Sequence, residues 1–563
     1  MQPAADKFIL QGPTKGALAL RTKSLSILTL VAAFALSLEW SLRLGPDSNW
    51  DMLIYHYSNG AAVVSGRIWS DIAPNGMLNF SNPLFDIPSA IAMNISHSYV
   101  PFMVWMAIVQ TLCWVSVWRL TEELFVKFAL RAFATGLAVF APLAYSVSFT
   151  TFDDWIVAGF VCEGLRLLLK LRRISAEADS QRPINKHRLS QCASWSGVLF
   201  GIAVAVKLTA VDYVIVALLF VIVFLPRQTW FRWFAGATVS FLATSVPWML
   251  FLYVRYGSPL FPYFNGIFKA DSASVRSFDD PDFGAHGIVD LIMFPYRMLR
   301  GTNLYAEIYL RDWRPAALVF LVAISAVVKR HEIRSSMFRP SSWPPRVAAL
   351  AFCIGAYLIW AVQFGIYRYF LPVEVIGSIL VVAFLEAVIG SLVESRPRLR
   401  SRSSSLAVLV AIPAALVLVV SLATSQFSSF SLQTTNGWGR KAILHQPKWP
   451  TEIRDSLLIL RDNTFSYSAR TLPRSTRLSS VVGFDSGRFN RNGTLWNRLG
   501  SATTSAQKAG GVFVLQKPDD QPSASLTALG LVVDVKSCQP FALYRSGLGL
   551  PQAELCSAKP GRR

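Results

Sequence analysis

With 563 residues, 53% of them hydrophobic and only 15% charged, the chain has a mean hydropathy of +0.41, too apolar for a soluble globular protein, which carries roughly 25% charge. Lys and Arg (54) outnumber Asp and Glu (33) for a net charge of +21. The basic residues sit in short segments between apolar runs, where they set membrane orientation, and no nucleic-acid motif accompanies them. Six scattered cysteines and six histidines show neither zinc-ligand spacing nor an HExxH pair, which argues against a built-in histidine–cysteine metal site.

Runs approaching the roughly 20 apolar residues of a bilayer crossing fall at 25–43, 99–118, 132–150, 155–171, 192–208, 210–226, 234–253, 313–329, 346–363, 370–392 and 404–424. They predict an α-helical polytopic membrane protein of about eleven spans. Lys7, Lys15, Arg21 and Lys23 precede the first span and put the N-terminal segment 1–24 in the cytoplasm. Alternation from there also places Lys170–Arg188, Arg227–Arg232, Lys329–Arg334 and Arg396–Arg402 inside. The first span has no small-residue cleavage site after it, so it reads as an anchor rather than a secretory signal. Outer loops 44–98 and 254–312 then belong to a membrane domain over 25–424, and 425–563 forms an extracytoplasmic domain.

The first outer loop opens with Asp47-Ser48-Asn49-Trp50-Asp51 and runs on through Ile54, Tyr57, Ala61, Val64 and Ile68 at helical spacing. That spacing predicts an amphipathic helix along the outer membrane face, with Arg67 and Asp71 at its far end. Ser48 as N-cap and Asp51 at the third helical position fit a capping box, a purely structural reading that does not exclude catalysis by the acid. A second short apolar run, Pro83–Ile95, follows.

Trp50-Asp51-Met52-Leu53-Ile54-Tyr55-His56-Tyr57, the later Gly66-Arg67 and Asn82-Pro83-Leu84, within this span layout, resemble a bacterial branch of the GT-C class of membrane glycosyltransferases. The resemblance covers the span layout from residue 25 to about 424, but no motif of the tail. It implies a polyprenyl-phosphate sugar as donor and a first-loop acid as catalytic base. Asp51 matches that acid, standing four residues ahead of Tyr55-His56, with Asp47 in reserve; Tyr55 and His56 join the expected substrate-binding set. The resemblance also points to a second-loop acid near the donor phosphate or a divalent ion. Asp153-Asp154 lies there, just before Trp155, with two solvated loop carboxylates as the alternative. No cofactor is fixed, and a divalent cation stays open.

Lys207 closes the fifth span at Gly201–Lys207; it reads either as snorkelling to the interface or as a phosphate contact. Tyr367-Arg368-Tyr369-Phe370-Leu371-Pro372-Val373-Glu374 spans a short outer turn and the start of the next span. Arg368 offers a forked donor set for phosphate, and Tyr369 a groove wall; an Arg368–Glu374 pair bracing two helices is the alternative. The charges of Glu307–Arg314 balance locally and read as a juxtamembrane ion-pair network. In the tail, Gly511–Leu515 and Leu531–Val535 predict strands of a small α/β or β-rich domain. Cys538 and Cys556 either bridge or stay two thiols; an oxidising compartment favours the bridge.

The function expected is transfer of a sugar from a polyprenyl-phosphate donor to a hydroxyl of a lipid-linked glycan, cell-wall polymer or protein, on the outer face of a bacterial inner membrane. A transporter or flippase predicts paired charges along a mid-membrane path, whereas only Glu374 lies there. A non-enzymatic assembly partner that binds through its tail is the third reading.

Overall fold

The computed structural model describes residues 15–47, 49–95, 99–178, 186–275, 283, 287–305, 309–328, 343–363, 365–394, 448–543 and 552–561. The predicted span 404–424, Ser48 and Glu307 lie outside them. Helix α1 (Lys15–Leu44) covers the first predicted span. A π-helical turn, Met52–His56, leads into α2 (Tyr57–Ser65), which stops at Gly66 with φ 75°, a left-handed backbone that glycine adopts without steric cost. After α3 (Asp86–Asn94) come the long α4 (Val100–Thr121), the short α5 (Phe128–Val139) and α6 (Pro142–Ser146), then α7 (Asp154–Ala178), α8 (Lys186–Val206) and α9 (Val211–Phe224). Helices α10 (Arg227–Thr244) and α11 (Val246–Tyr256) follow, and the membrane part ends with Arg314–Val328, Pro345–Gln363 and Leu371–Glu394.

Two predicted spans are broken. The apolar run 132–150 is divided between α5 and α6, because Pro142 drives Ala141 into an extended conformation (ψ 149°) and restarts the helix. The run 234–253 crosses from α10 into α11 with a bend of 48°, next to Pro247, whose ring cannot continue a helix. Among the described residues four helices are long and apolar enough to cross a membrane, five if the bent pair counts as one. Apolar side chains of α9 to α11, among them Leu219, Ile222, Phe231, Phe234, Val239 and Val254, stand exposed, as lipid-facing residues do.

The tail builds a sheet in the order β2 (Arg477–Ser480), β1 (Leu457–Leu460), β3 (Val512–Gln516), β6 (Ala553–Pro560), β4 (Leu531–Val533), with β5 (Gln539–Phe541) also against β6. Strand β1 runs parallel to β2 and β3, and β6 antiparallel to β3, β4 and β5. Both faces of β1 are buried, which explains an unbroken apolar run where one-sided burial would give alternation. Leu458 and Leu460 pack with Met52, Leu53, Tyr57, Phe102 and Met103. Leu457 and Ile459 pack with Ile72, Phe261 and the tail helix Thr494–Lys508. Cys538 and Cys556 are bonded, closing the β5–β6 edge.

The first loop is therefore seated on the tail. Ile72 extends the sheet beside Ser479, and the buried Arg67–Asp71 pair reaches the carbonyls of Pro473 and Thr476 and the N–H of Leu478. The helix expected along the membrane face exists, but Met52, Leu53 and Tyr57 pack against α4 and the tail, while Trp50, Val64 and Trp69 remain exposed.

Candidate functional site

Every group of the site is positioned by a local backbone event. Asp47 is buried and saturated: it accepts from Thr151 N at 2.8 Å, Thr151 Oγ1 at 2.9 Å, Asn49 N at 3.1 Å and Asn49 Nδ2 at 2.5 Å. Burial pushes its carboxyl up, although these donors pull the other way. Asn49 Oδ1 in turn accepts from Met52 N at 2.7 Å and caps the helix start. The cap is thus Asn49, held by Asp47, and Asp51 faces elsewhere: the capping-box reading of Asp51 is corrected.

Asp51 accepts from Arg368 Nη1 at 3.0 Å across 317 residues of sequence, with Tyr55 Oη at 3.5 Å. Arg368 comes from the tight turn Tyr367–Phe370, fastened by Trp360 Nε1 on Ile366 O at 2.7 Å and Tyr213 Oη on Tyr369 O at 2.6 Å. Its guanidinium lies 4.3 Å from the Phe152 ring. Burial raises the Asp51 carboxyl, but Arg368, then His56 and Lys207, outweigh it and hold the group below the usual carboxylate range. The alternative Arg368–Glu374 pair is not formed: Glu374 accepts instead from Leu143 N at 3.1 Å, Ala144 N at 2.9 Å and Tyr367 Oη at 3.3 Å.

Lys207 follows α8 in extended backbone. Its Nζ donates to Asp154 Oδ1 at 2.6 Å and Phe152 O at 3.2 Å and sits 4.5 Å from the Tyr369 ring. Asp154 is buried and Lys207 partly so, so Asp154 is not a loop carboxylate out in solvent. Beside them Asp153 holds φ at 63°, a strained backbone of the kind functional sites retain.

His56 completes the cluster. A side chain on Gly60 would place its Cβ 2.4 Å from Asp86 O, so glycine there lets α2 lie against α3. One turn earlier His56 Nδ1 then meets Asp86 Oδ1 at 2.7 Å, with Asp153 Oδ2 at 3.8 Å. Burial lowers the His56 pKa, but the two carboxylates more than reverse that and bring it to about 9. Asp153 is raised to about 7 by burial, with His56 pulling it down and Asp86 up. These three residues are the group near Asp51 able to offer a cation one nitrogen and two oxygens, their ligand atoms within 4.8 Å of one another. An ion with bonds of about 2.1 Å would have to spread the 2.7 Å Nδ1–Oδ1 contact. As built, it is a hydrogen bond between an imidazolium and a carboxylate.

A carboxylate, two cations and a set of aromatics thus converge beneath the tail. Residues 83–341, a little under half the chain, match the model of glycosyltransferase family 87. The fold matches a crystal structure of ArnT from Cupriavidus metallidurans bound to undecaprenyl phosphate, with TM-score 0.53, 14% identity and coverage of 94% of this chain and 97% of that one. The chain has a GT-C-like fold, and part of it matches a glycosyltransferase family. The apo state of the same ArnT gives TM-score 0.50 at 13% identity, covering 96% and 98%. Arabinofuranosyltransferase AftD from Mycobacteria gives 0.48 at 15%, covering 95% of this chain and 41% of that one. No curated protein matches the sequence.

The family match contains Asp86, Asp153, Asp154 and Lys207 but leaves Asp51 and Arg368 outside it. The structure brings Asp51, Tyr55, His56, Asp153, Asp154, Lys207, Arg368 and Tyr369 together, and turns Asp47 to the support of the loop. Asp86, Asn49 and Thr151 were not anticipated. Asp86 carried one signal: an acid three residues after Asn82-Pro83 in a loop already under suspicion.

Proposed function

We propose that the enzyme moves a sugar from a polyprenyl-phosphate donor to a hydroxyl of a lipid-linked glycan, cell-wall polymer or protein, on the outer face of a bacterial inner membrane. The observation that carries this reading is the contact between Asp51 and Arg368, with Lys207 beside Tyr369: one carboxylate set among cations, at the partly open edge of a buried cluster. The neighbour's bound undecaprenyl phosphate supports the donor class, and the basic loops support a cytoplasmic N-terminus with the tail outside.

Asp51 takes the proton of the acceptor hydroxyl while its oxygen bonds to the anomeric carbon. The bond from that carbon to the lipid phosphate breaks, and the phosphate leaves with the electron pair, held by Arg368 and Lys207. The donor's phosphodiester anion competes with Asp51 for the Arg368 fork. Donor binding thereby draws the guanidinium off the base and lets burial raise its proton affinity. Direct displacement inverts the anomeric centre. Tyr55 and Tyr369 flank the path of the sugar.

Asp51→Asn is expected to lower glycan formation in membranes by about 10²- to 10⁴-fold at unchanged protein level. Full activity of that variant would remove Asp51 as the base.

A further inference from the structure

Asp51 stands at the head of a helix that is locally wound too wide. The π-helical turn Met52–His56 inserts an extra residue, and such turns persist where other groups hold them. The carbonyls of this one show what does. Ser466, fully buried in the tail segment Asn463–Arg470, donates its single hydroxyl hydrogen between Ile54 O at 2.5 Å and Leu53 O at 3.1 Å. Ser58, one turn on, donates to Ile54 O at 3.1 Å and lies 3.4 Å from Tyr55 O.

The Ser466 segment is itself rigid. Asp462 accepts from Thr464 N at 2.8 Å and pairs with Lys517 at 2.6 Å, Phe465 is fully buried, and Tyr467 packs on Tyr57 at 4.8 Å. Downstream, α2 is pinned by Tyr57 Oη on Asn94 Oδ1 at 3.1 Å and by the close approach of Gly60 to Asp86. With that end fixed, tightening the turn to α-helix would carry Asp51 about 100° around the axis and about 1.5 Å along it. Asp51 would then leave Arg368.

We propose that Ser466 is a positioning residue for the transfer: through this one hydroxyl the tail keeps the Met52–His56 turn wide and so aims Asp51. The inference rests on the reading of Asp51 as base. Displacements of about 1 Å at a reacting group cost on the order of 10²-fold in rate, whereas lipid-phosphate binding by Arg368 and Lys207 loses nothing when Asp51, its competitor for the Arg368 fork, moves away.

The full-length protein in nanodiscs gives binding of undecaprenyl phosphate, and vesicles give sugar incorporation into membrane glycan per folded enzyme. Ser466→Ala is expected to lose about 10- to 100-fold in incorporation with lipid affinity undiminished, and Ser466→Thr, which keeps the hydroxyl, to recover most of the rate. An alanine variant with the wild-type rate overturns the proposal, as does one whose rate and lipid affinity fall together, or a threonine variant no better than alanine. If Ser466→Ala does not accumulate, Ser466→Cys carries the same test: a reduced rate at undiminished lipid affinity supports the inference, and a wild-type rate overturns it. The two readings fail separately. An active Asp51→Asn removes the base, while an inactive Asp51→Asn beside a fully active Ser466→Ala removes the anchor alone.

Discussion

A carboxylate 3.0 Å from a guanidinium is a weak proton acceptor, because the nearby positive charge favours its ionised form. Removing Arg368 therefore has two separable effects. Arg368→Ala loses donor affinity, and it also lets burial dominate at Asp51, so the acid limb of kcat/KM moves to higher pH; a pH–rate series on the variant reads both. Arg368→Lys keeps the charge but loses the planar fork, so donor KM is expected to rise by about tenfold while the acid limb stays nearer the wild type. Next to this pair His56 sets an alkaline limit. Its folded pKa of about 9 exceeds the ordinary 6.5 of a histidine, so the stability it lends is complete below about 6.5 and drains as pH rises through about 9. Asp153, raised from 3.8 to about 7, adds a loss in the same direction at lower pH. Melting temperatures from about pH 6 to about pH 10 should fall in the wild type and flatten in His56→Gln. The chemistry of these residues was legible one at a time. Asp51, Lys207 and Arg368 each stood out as a charge at a span end, but nothing local says that a partner lies 317 positions away. The Arg368–Glu374 alternative looked sound because both belong to one short stretch, whereas the structure sends their side chains to different helices.

At the scale of elements, the buried Glu374 shows how a broken helix is kept in a membrane. The restart at Pro142 leaves the N–H groups of Leu143 and Ala144 without carbonyls of their own turn, and the Glu374 carboxylate accepts both. Trp155 continues the chain of support by donating to Ala144 O at 2.8 Å, and the same stretch leads on to Thr151, the partner of Asp47. Glu374→Ala strands two buried donors at about 1–3 kcal/mol each, so the variant should melt earlier and lose activity without any change at the reacting groups. Glu374→Gln, which keeps one acceptor oxygen, should fall between; equal melting of all three proteins would refute the assignment. Hydropathy averaging reads 132–150 as one span because it weighs apolarity and ignores backbone. Pro142 was the visible sign of the break, and the intramembrane acid was the visible sign that something needed capping.

For the molecule as a whole, the first loop and the tail are one body divided between the two ends of the chain. Their junction holds the buried Arg67–Asp71 pair, which is fixed to tail backbone on both sides. Arg67→Ala leaves Asp71 buried without its cation, at a cost of about 3–5 kcal/mol, and should make the tail more readily cut by protease in intact membranes. Unchanged cleavage would show that the apolar contacts of Met52, Tyr57 and Phe102 with the sheet are sufficient alone. The sequence makes the tail visible as a soluble module but gives no sign of its mate, since the apolar runs of β1 and β3 read the same whether they face their own helices or another domain. That arrangement also fixes an order in biosynthesis. Residues 51 and 466 must both be made before the turn that carries Asp51 can close on the Ser466 hydroxyl. On the role proposed for Ser466, a chain cut before it carries every cation and carboxylate of the site while lacking the hydroxyl that aims Asp51.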